Sequence, residues 1–230
     1  MKNGMVDTQL LPESFRSPKF YMDMNLIDYD KVRREVSAQL GPFQTLEWEL
    51  LIQSGLPHDL VVDYAHKAIQ FGFEKSIISF TPGLSNFLKE FSAQSWIVSG
   101  SSFPTVVALA KRLGLHSDRV LATKLELVDG IYMKSFSPPG FVWEKTKVVA
   151  LENAGVVNPY FVAGDSVGDW YMMQKSTHWV WCMLWDENRF GGKGFRKFLE
   201  ANIPFGQQIP KESGFYVTEW QRKRWVFEVI

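Results

Sequence analysis

The sequence predicts an α/β protein on a mainly parallel sheet. Apolar runs alternate with helix-period stretches from about Ser76 to Leu184, the pattern of strands joined by helices. Two runs end in small and polar residues directly before a helix start, IVSGSS at 97–102 and the AGDSVGDW that closes PYFVAG at 163–170. Open α/β sheets bind their ligands at such strand ends. Residues from about Asp30 to Glu74 have helical periodicity and no strand signal, so they read as a helical insertion over the sheet.

In chain order, KFYM (19–22) is the first strand. The insertion divides into two or three amphipathic helices at Gly41-Pro42 and Gly55-Leu56-Pro57, where glycine and proline break the pattern. Thr81 followed by Pro82 is a helix start, and Leu84, Phe87, Leu88 and Phe91 then keep to one face. SWIVSG (95–100) is a strand, after which Ser102 can cap a helix through Val106, Val107, Ala110 and Leu113 that ends at Gly114. Another helix runs from about Glu144 through Val148, Val149 and Leu151 to near Gly155. PYFVAG (159–164) and HWVWCML (178–184) are further strands. The chain then holds GGKG (191–194), a short helical piece at 195–199 and a tail rich in Trp and Phe that ends RKRWVFEVI.

A chain of 230 residues holds one compact domain with a small insertion and can bury a substantial core. Lys and Arg total 25 and so do Asp and Glu, and the charges are mixed along the chain. That balance leaves no electrostatic footprint for nucleic acid or an anionic membrane, and it points to a small substrate. Cys182 is the sole cysteine, which excludes an internal disulfide and a cysteine-built metal site. The polar N-terminal stretch lacks the apolar run of a signal peptide, and no segment has the length of a membrane span. The expectation is a soluble, cytoplasmic protein.

Asp165 and Asp169 are the strongest chemical signal. Two carboxylates at a strand end face the crevice and offer the oxygen ligands that a hard divalent cation takes. The plainer alternative is that Asp165 and Ser166 cap the following helix. In IVSGSS, the Ser99 hydroxyl and nearby backbone N–H groups would form an anion-binding corner at a helix N-terminus. Lys145, with Lys147 beside it, starts the helix before PYFVAGDS. A cation is disfavoured there unless an anion or a carboxylate cluster faces it, the alternative being a solvated surface lysine.

Taken together, IVSGSS, then GLHSDRVLATKLELVDGIY, then Lys145, then AGDSVGDW resemble motifs two, three and four of the haloacid dehalogenase superfamily, closest to its phosphoserine-phosphatase-like branch. The resemblance covers about Ser76 to Lys175 and includes the VDG-containing strand pair. It implies a Rossmann-like core with a small helical cap inserted after the first strand, here residues 1–29 and 75–230 for core and C-terminal extension and 30–74 for the cap. The implied activity is magnesium-dependent cleavage of a small phosphorylated metabolite through an aspartyl-phosphate. Carried over, Ser99 and Gly100 bind phosphoryl oxygens and Lys145 balances the charge of nucleophile and phosphate. Asp165 is a Mg2+ ligand, and Asp169 holds a metal-bound water or the lysine.

The first motif departs from the pattern. The family's strand ends Asp-x-Asp-x-Thr, and the best match is KFYMDMNLI (19–27), which supplies Asp23 as the implied nucleophile. Asn25 replaces the second aspartate, the general acid/base, and an amide cannot shuttle that proton. Such help is typically worth about a hundred- to ten-thousand-fold, so slow turnover is expected. The same position binds magnesium through its backbone carbonyl in the family, which asparagine retains, so Asp23 and Asn25 both stay in the implied metal set. Ile27 stands where the threonine would be. A literal Asp-x-Asp at Asp28 and Asp30 is the second choice, since it would bury Asp23 and Asn25 in a core strand.

Three functions follow: an atypical phosphohydrolase, a non-catalytic descendant that binds a phosphorylated ligand or partner protein, and a different group transfer on the same scaffold. The last is disfavoured because dehalogenases of the superfamily need no magnesium, whereas Asp165 and Asp169 are both kept. His58, His66, His116 and His178 lack metal-ligand spacing with one another. GGKG lacks the rest of a P-loop. Trp48 and Trp143 are packing residues or cleft lining, and Arg222, Lys223 and Arg224 read as a solvated face between Trp220 and Trp225.

Overall fold

The computed structural model describes residues 26–40, 42–80, 83–184, 192–206, 209 and 214–229. The chain divides into two compact units between Val142 and Trp143. The strand expected at 19–22, with Asp23 and Asn25, the helix start at Thr81-Pro82, and Gly191 of GGKG lie outside the described residues.

In the first unit, helices α1 (Leu26–Leu40), α2 (Pro42–Leu51) and α3 (His58–Glu74) form the helical stretch, with a break at Gly55-Leu56-Pro57. Val32, Val36 and Trp48 close α1 on α2. Ala65 and Ile69 of α3 pack on Ala108. Asp28 and Asp30 lie on the helical backbone of α1 and not at a strand end. A short α4 (Leu84–Glu90) follows, then β1 (Ile97–Ser102), α5 (Phe103–Arg112), β2 (Val120–Thr123), β3 (Leu125–Val128) and β4 (Ile131–Phe136).

Apolar alternation along α5 buries Val106 and Ala110 with Leu113, Leu115, Val120 and Ala122. Gly114, at φ +77°, closes the helix as its C′ residue, a conformation that glycine adopts without a Cβ penalty. β1 and β2 are parallel. β3 and β4 are antiparallel and join through Asp129 and Gly130, both at positive φ, the two-residue turn that matches strand twist.

The second unit holds α6 (Lys145–Asn153), β5 (Phe161–Gly164), α7 (Trp170–Lys175), β6 (Trp179–Leu184), α8 (Gly192–Asn202), β7 (Gly214–Trp220) and β8 (Lys223–Val229). Its sheet has the order β5-β6-β8-β7. The first three strands are parallel and β7 is antiparallel to β8. Val180, Cys182 and Leu184 alternate into the core from β6, beside Trp225 and Phe227 of β8. The tail is therefore sheet; Lys223 and Arg224 begin a strand, and Arg222 and Arg224 stay exposed, the solvated face expected, while Lys223 is half-buried.

Candidate functional site

Two strand ends carry the candidate residues, one in each unit. In the first unit the corner after β1 is a bulge. Ser99 pairs with Ala122 and Ser102 with Thr123, so Gly100 and Ser101 are two residues more than the partner strand supplies. The extra residues turn back on themselves, and the Ser101 amide donates to Ser99 Oγ at 3.2 Å. With its oxygen held that way, the Ser99 hydroxyl keeps its proton for an acceptor.

Thr123, 1% exposed, locks this corner from below. Its Oγ1 donates to the Gly100 carbonyl at 2.9 Å and accepts the Val142 amide at 3.0 Å. Sequence reading missed Thr123, because a threonine ending an apolar strand looks like any β-branched strand residue.

In the second unit β5 ends at Gly164, and Asp165 and Ser166 lead into a single 3-10 turn, Val167–Asp169. Asp169 is 5% exposed, and both of its oxygens are engaged. Oδ2 accepts the amides of Asp165 and Ser166, each at 3.1 Å, and the Ser166 hydroxyl at 2.9 Å. Oδ1 accepts Lys147 Nζ at 2.5 Å. Lys147 is likewise 5% exposed. Burying a lysine and a carboxylate is tolerable only because each neutralises the other and the remaining lone pairs are filled.

Two glycines make this approach possible. A Cβ on Gly164 would stand 2.5 Å from Asp169 Cβ, and one on Gly168 would stand 2.9 Å from the Trp143 ring. Trp143 thus packs on the turn, with Lys147 Nζ 6.0 Å from its ring centroid.

The structure brings Lys147, not Lys145, to Asp169. Lys145 lies exposed with Nζ 5.2 Å from the Tyr171 ring centroid. The two lysines sit two residues apart, about 200° around a helix, so only one can face the strand end. Of the two roles expected for Asp169, holding the lysine is the one its geometry shows. Ser166 closes a reciprocal capping box with Asp169.

Asp165, half-buried at the strand end, is the oxygen donor suited to a hard cation here. Magnesium binds through one or two carboxylates and keeps several waters, so this donor fits it. Among the described residues no group of three or more His, Cys, Asp or Glu could hold a metal ion. Cys182, fully buried on β6, has its thiol pushed well up by burial and by the charge of Asp169. A buried thiol held protonated is a poor nucleophile.

Parallel strands that end in acidic and hydroxyl-bearing turns, one closed by a buried lysine, define an α/β protein with strand-end polar sites. The chain belongs to the family of haloacid dehalogenase-like hydrolases, whose sequence model matches residues 30–174. Two solved structures share the fold at low identity. One, a protein of unknown function from Bordetella pertussis Tohama I, has 15% identity and a TM-score of 0.59 over 82% of this chain and 86% of that one. The other, a conserved functionally unknown protein from Anaerococcus prevotii DSM 20548, has 16% identity and a TM-score of 0.52. That match covers 66% of this chain but only 50% of the Anaerococcus protein. A probable phosphoserine phosphatase from Vibrio cholerae is similar at 16% identity and a TM-score of 0.44, over 78% of this chain and 54% of that one. No curated protein matches the chain. Among the described residues no helix is long and apolar enough to cross a membrane.

Proposed function

We propose that the chain is a magnesium-dependent phosphohydrolase acting slowly on a small phosphorylated metabolite. The observation that carries this reading is the buried Lys147–Asp169 pair beside Asp165 at the end of β5. A charge pair that costs burial energy is out of place in a mere helix cap and suits a site that must hold phosphate and metal.

In this reading Ser99 Oγ and the Gly100 amide bind phosphoryl oxygens. Asp23 attacks phosphorus, the ester oxygen leaves with the substrate alcohol, and water later cleaves the aspartyl-phosphate. Lys147, held by Asp169, takes the charge-balancing role first expected of Lys145. Asp165 would hold magnesium, together with Asp23 and the carbonyl of Asn25. Magnesium supplies Lewis-acid stabilisation of the transferring group when bound. Asn25 can place a water or leaving group by hydrogen bonding but cannot donate and retrieve a proton, which leaves turnover slow. The helical stretch 30–74 serves as cap and sets the substrate.

A second reading, a binder of phosphorylated ligands that has given up turnover, is favoured by Asn25 and Ile27. The test is phosphate release from a panel of phosphomonoesters, with and without magnesium. Release that Asp23→Asn and Lys147→Met abolish, and that Asn25→Asp accelerates, supports the hydrolase. A silent wild type with activity gained in Asn25→Asp favours the binder, and silence in both overturns the phosphatase assignment.

A further inference from the structure

We propose that Gln53 is a positioning residue of the Ser99–Gly100 corner, holding the Ser102 hydroxyl away from the helix end so that the first-turn amides of α5 stay open to a phosphoryl group. The proposal rests on the reading of Ser99 and Gly100 as phosphate ligands.

Ser102 is the N-cap residue of α5, and serine there ordinarily accepts the amide of the second or third helical residue. Here the second is Pro104, which has no N–H, so Thr105 offers the one amide available to a cap. Yet the Ser102 side chain makes no cap hydrogen bond. Its Oγ donates instead to Gln53 Oε1 at 3.0 Å, from a site 8% exposed where a hydroxyl has few alternatives. Engaged with Gln53, the hydroxyl does not cap the Thr105 amide.

Gln53 is built to hold that position. Its Nε2 donates to the Glu49 carbonyl at 3.3 Å, which turns the amide so that its oxygen faces Ser102. The loop that bears it, between α2 and α3, is laced to the β3–β4 hairpin. Gly55 N–H donates to the Tyr132 carbonyl at 2.7 Å, Tyr132 N–H to Leu56 at 3.0 Å, and His58 N–H to Gly130 at 2.8 Å. A serine that capped α5 would compete with an anion for the same helix end. The helical stretch thereby sets the state of the corner through one side chain.

The test combines calorimetric binding of orthophosphate in the presence of magnesium with amide hydrogen exchange at Thr105 in the absence of phosphate. The variants are Gln53→Ala, the length-matched Gln53→Met, Ser102→Ala, the Gln53→Ala/Ser102→Ala pair and Ser99→Ala. Either Gln53 variant should bind phosphate about fivefold more weakly, the factor a cap hydrogen bond typically carries, and should slow Thr105 exchange. Ser102→Ala should bind as the wild type does, and the pair should recover that affinity, which a merely structural role of Gln53 could not produce. An unrescued pair, or unchanged Thr105 exchange in both Gln53 variants, overturns the role of Gln53. Phosphate binding indifferent to Ser99→Ala overturns the phosphate reading of the corner itself, whatever Thr105 does.

Discussion

Replacing Asp169 by asparagine changes no volume, yet it should be among the most damaging single substitutions in the second unit. Asp169 meets donors on both sides: Lys147 Nζ at 2.5 Å on Oδ1, and two amides and a hydroxyl at 2.9–3.1 Å on Oδ2. An amide has a single oxygen. Whichever way it turns, its NH2 confronts either the lysine or the donor cluster of Asp165 and Ser166. The lysine side chain is 7% exposed and the aspartate 6%, so water cannot take over.

Removing one partner of such a pair costs about 3–5 kcal/mol. For a chain of this size that lowers Tm by about 6–20 °C. Lys147→Met should fall at the lower end, because the carboxylate keeps three donors, whereas Lys145→Met should stay within about 0.5 kcal/mol. Urea unfolding followed by near-ultraviolet circular dichroism, with Lys147→Met and Asp169→Asn combined in a double-mutant cycle, measures the coupling. If Lys145→Met costs as much as Lys147→Met, or the coupling is under about 0.5 kcal/mol, the buried pair is not the centre of this turn.

Gly168→Ala forces a methyl to 2.9 Å from the Trp143 ring and should cost about 1–3 kcal/mol, with a change in tryptophan fluorescence as the ring shifts. Thr123→Val should lose about 1–3 kcal/mol, because the buried Val142 amide loses its acceptor, and Thr123→Ser should recover most of it in the same denaturation assay. Tyr132 has its phenol pushed up by burial, so the native state keeps a proton that the unfolded chain releases. Its contribution to stability should be complete below about pH 10 and be lost as pH rises through the native value, seen as a late-titrating phenol at 295 nm that Tyr132→Phe removes.

Local chemistry made much of the fold legible. Asp129-Gly130 announces its hairpin, because both turn residues need positive φ and that dipeptide adopts it cheaply. The hairpin of β7 and β8 turns in the same way at Gln221 and Arg222, with φ of 54° and 62°, and went unread because neither residue advertises that conformation. There the strand pairing overrides local preference. Ser99 and Asp165 were legible as strand-end residues because a run of apolar alternation must end somewhere polar. The choice between Lys145 and Lys147 was not, since both fit a helix start and only the helix phase relative to β5 decides which is buried. Ser102 reads as an N-cap from sequence and is one by backbone position, but a long-range partner, Gln53, has taken its hydroxyl.

The aromatic tail bears on the same turn. The family's sequence model ends at residue 174, leaving β7 and β8 beyond it. Helix α7 has six residues, too short to hold itself, and it begins immediately after Asp169. Trp170 has Trp225 at 6.0 Å, Trp220 at 6.3 Å and Phe198 at 5.2 Å between ring centroids. Trp225 is fully buried, and its indole donates to the Trp220 carbonyl at 3.3 Å, which ties the strands of the hairpin together beneath Trp170. At the far end of α7, Lys223 Nζ donates to the Gln174 carbonyl at 2.7 Å. The tail thus grips α7 at both ends, by ring packing at its start and by a charged hydrogen bond at its close. Trp170 directly follows Asp169, so the packing of residues beyond the family's sequence model reaches the residue next to the buried pair.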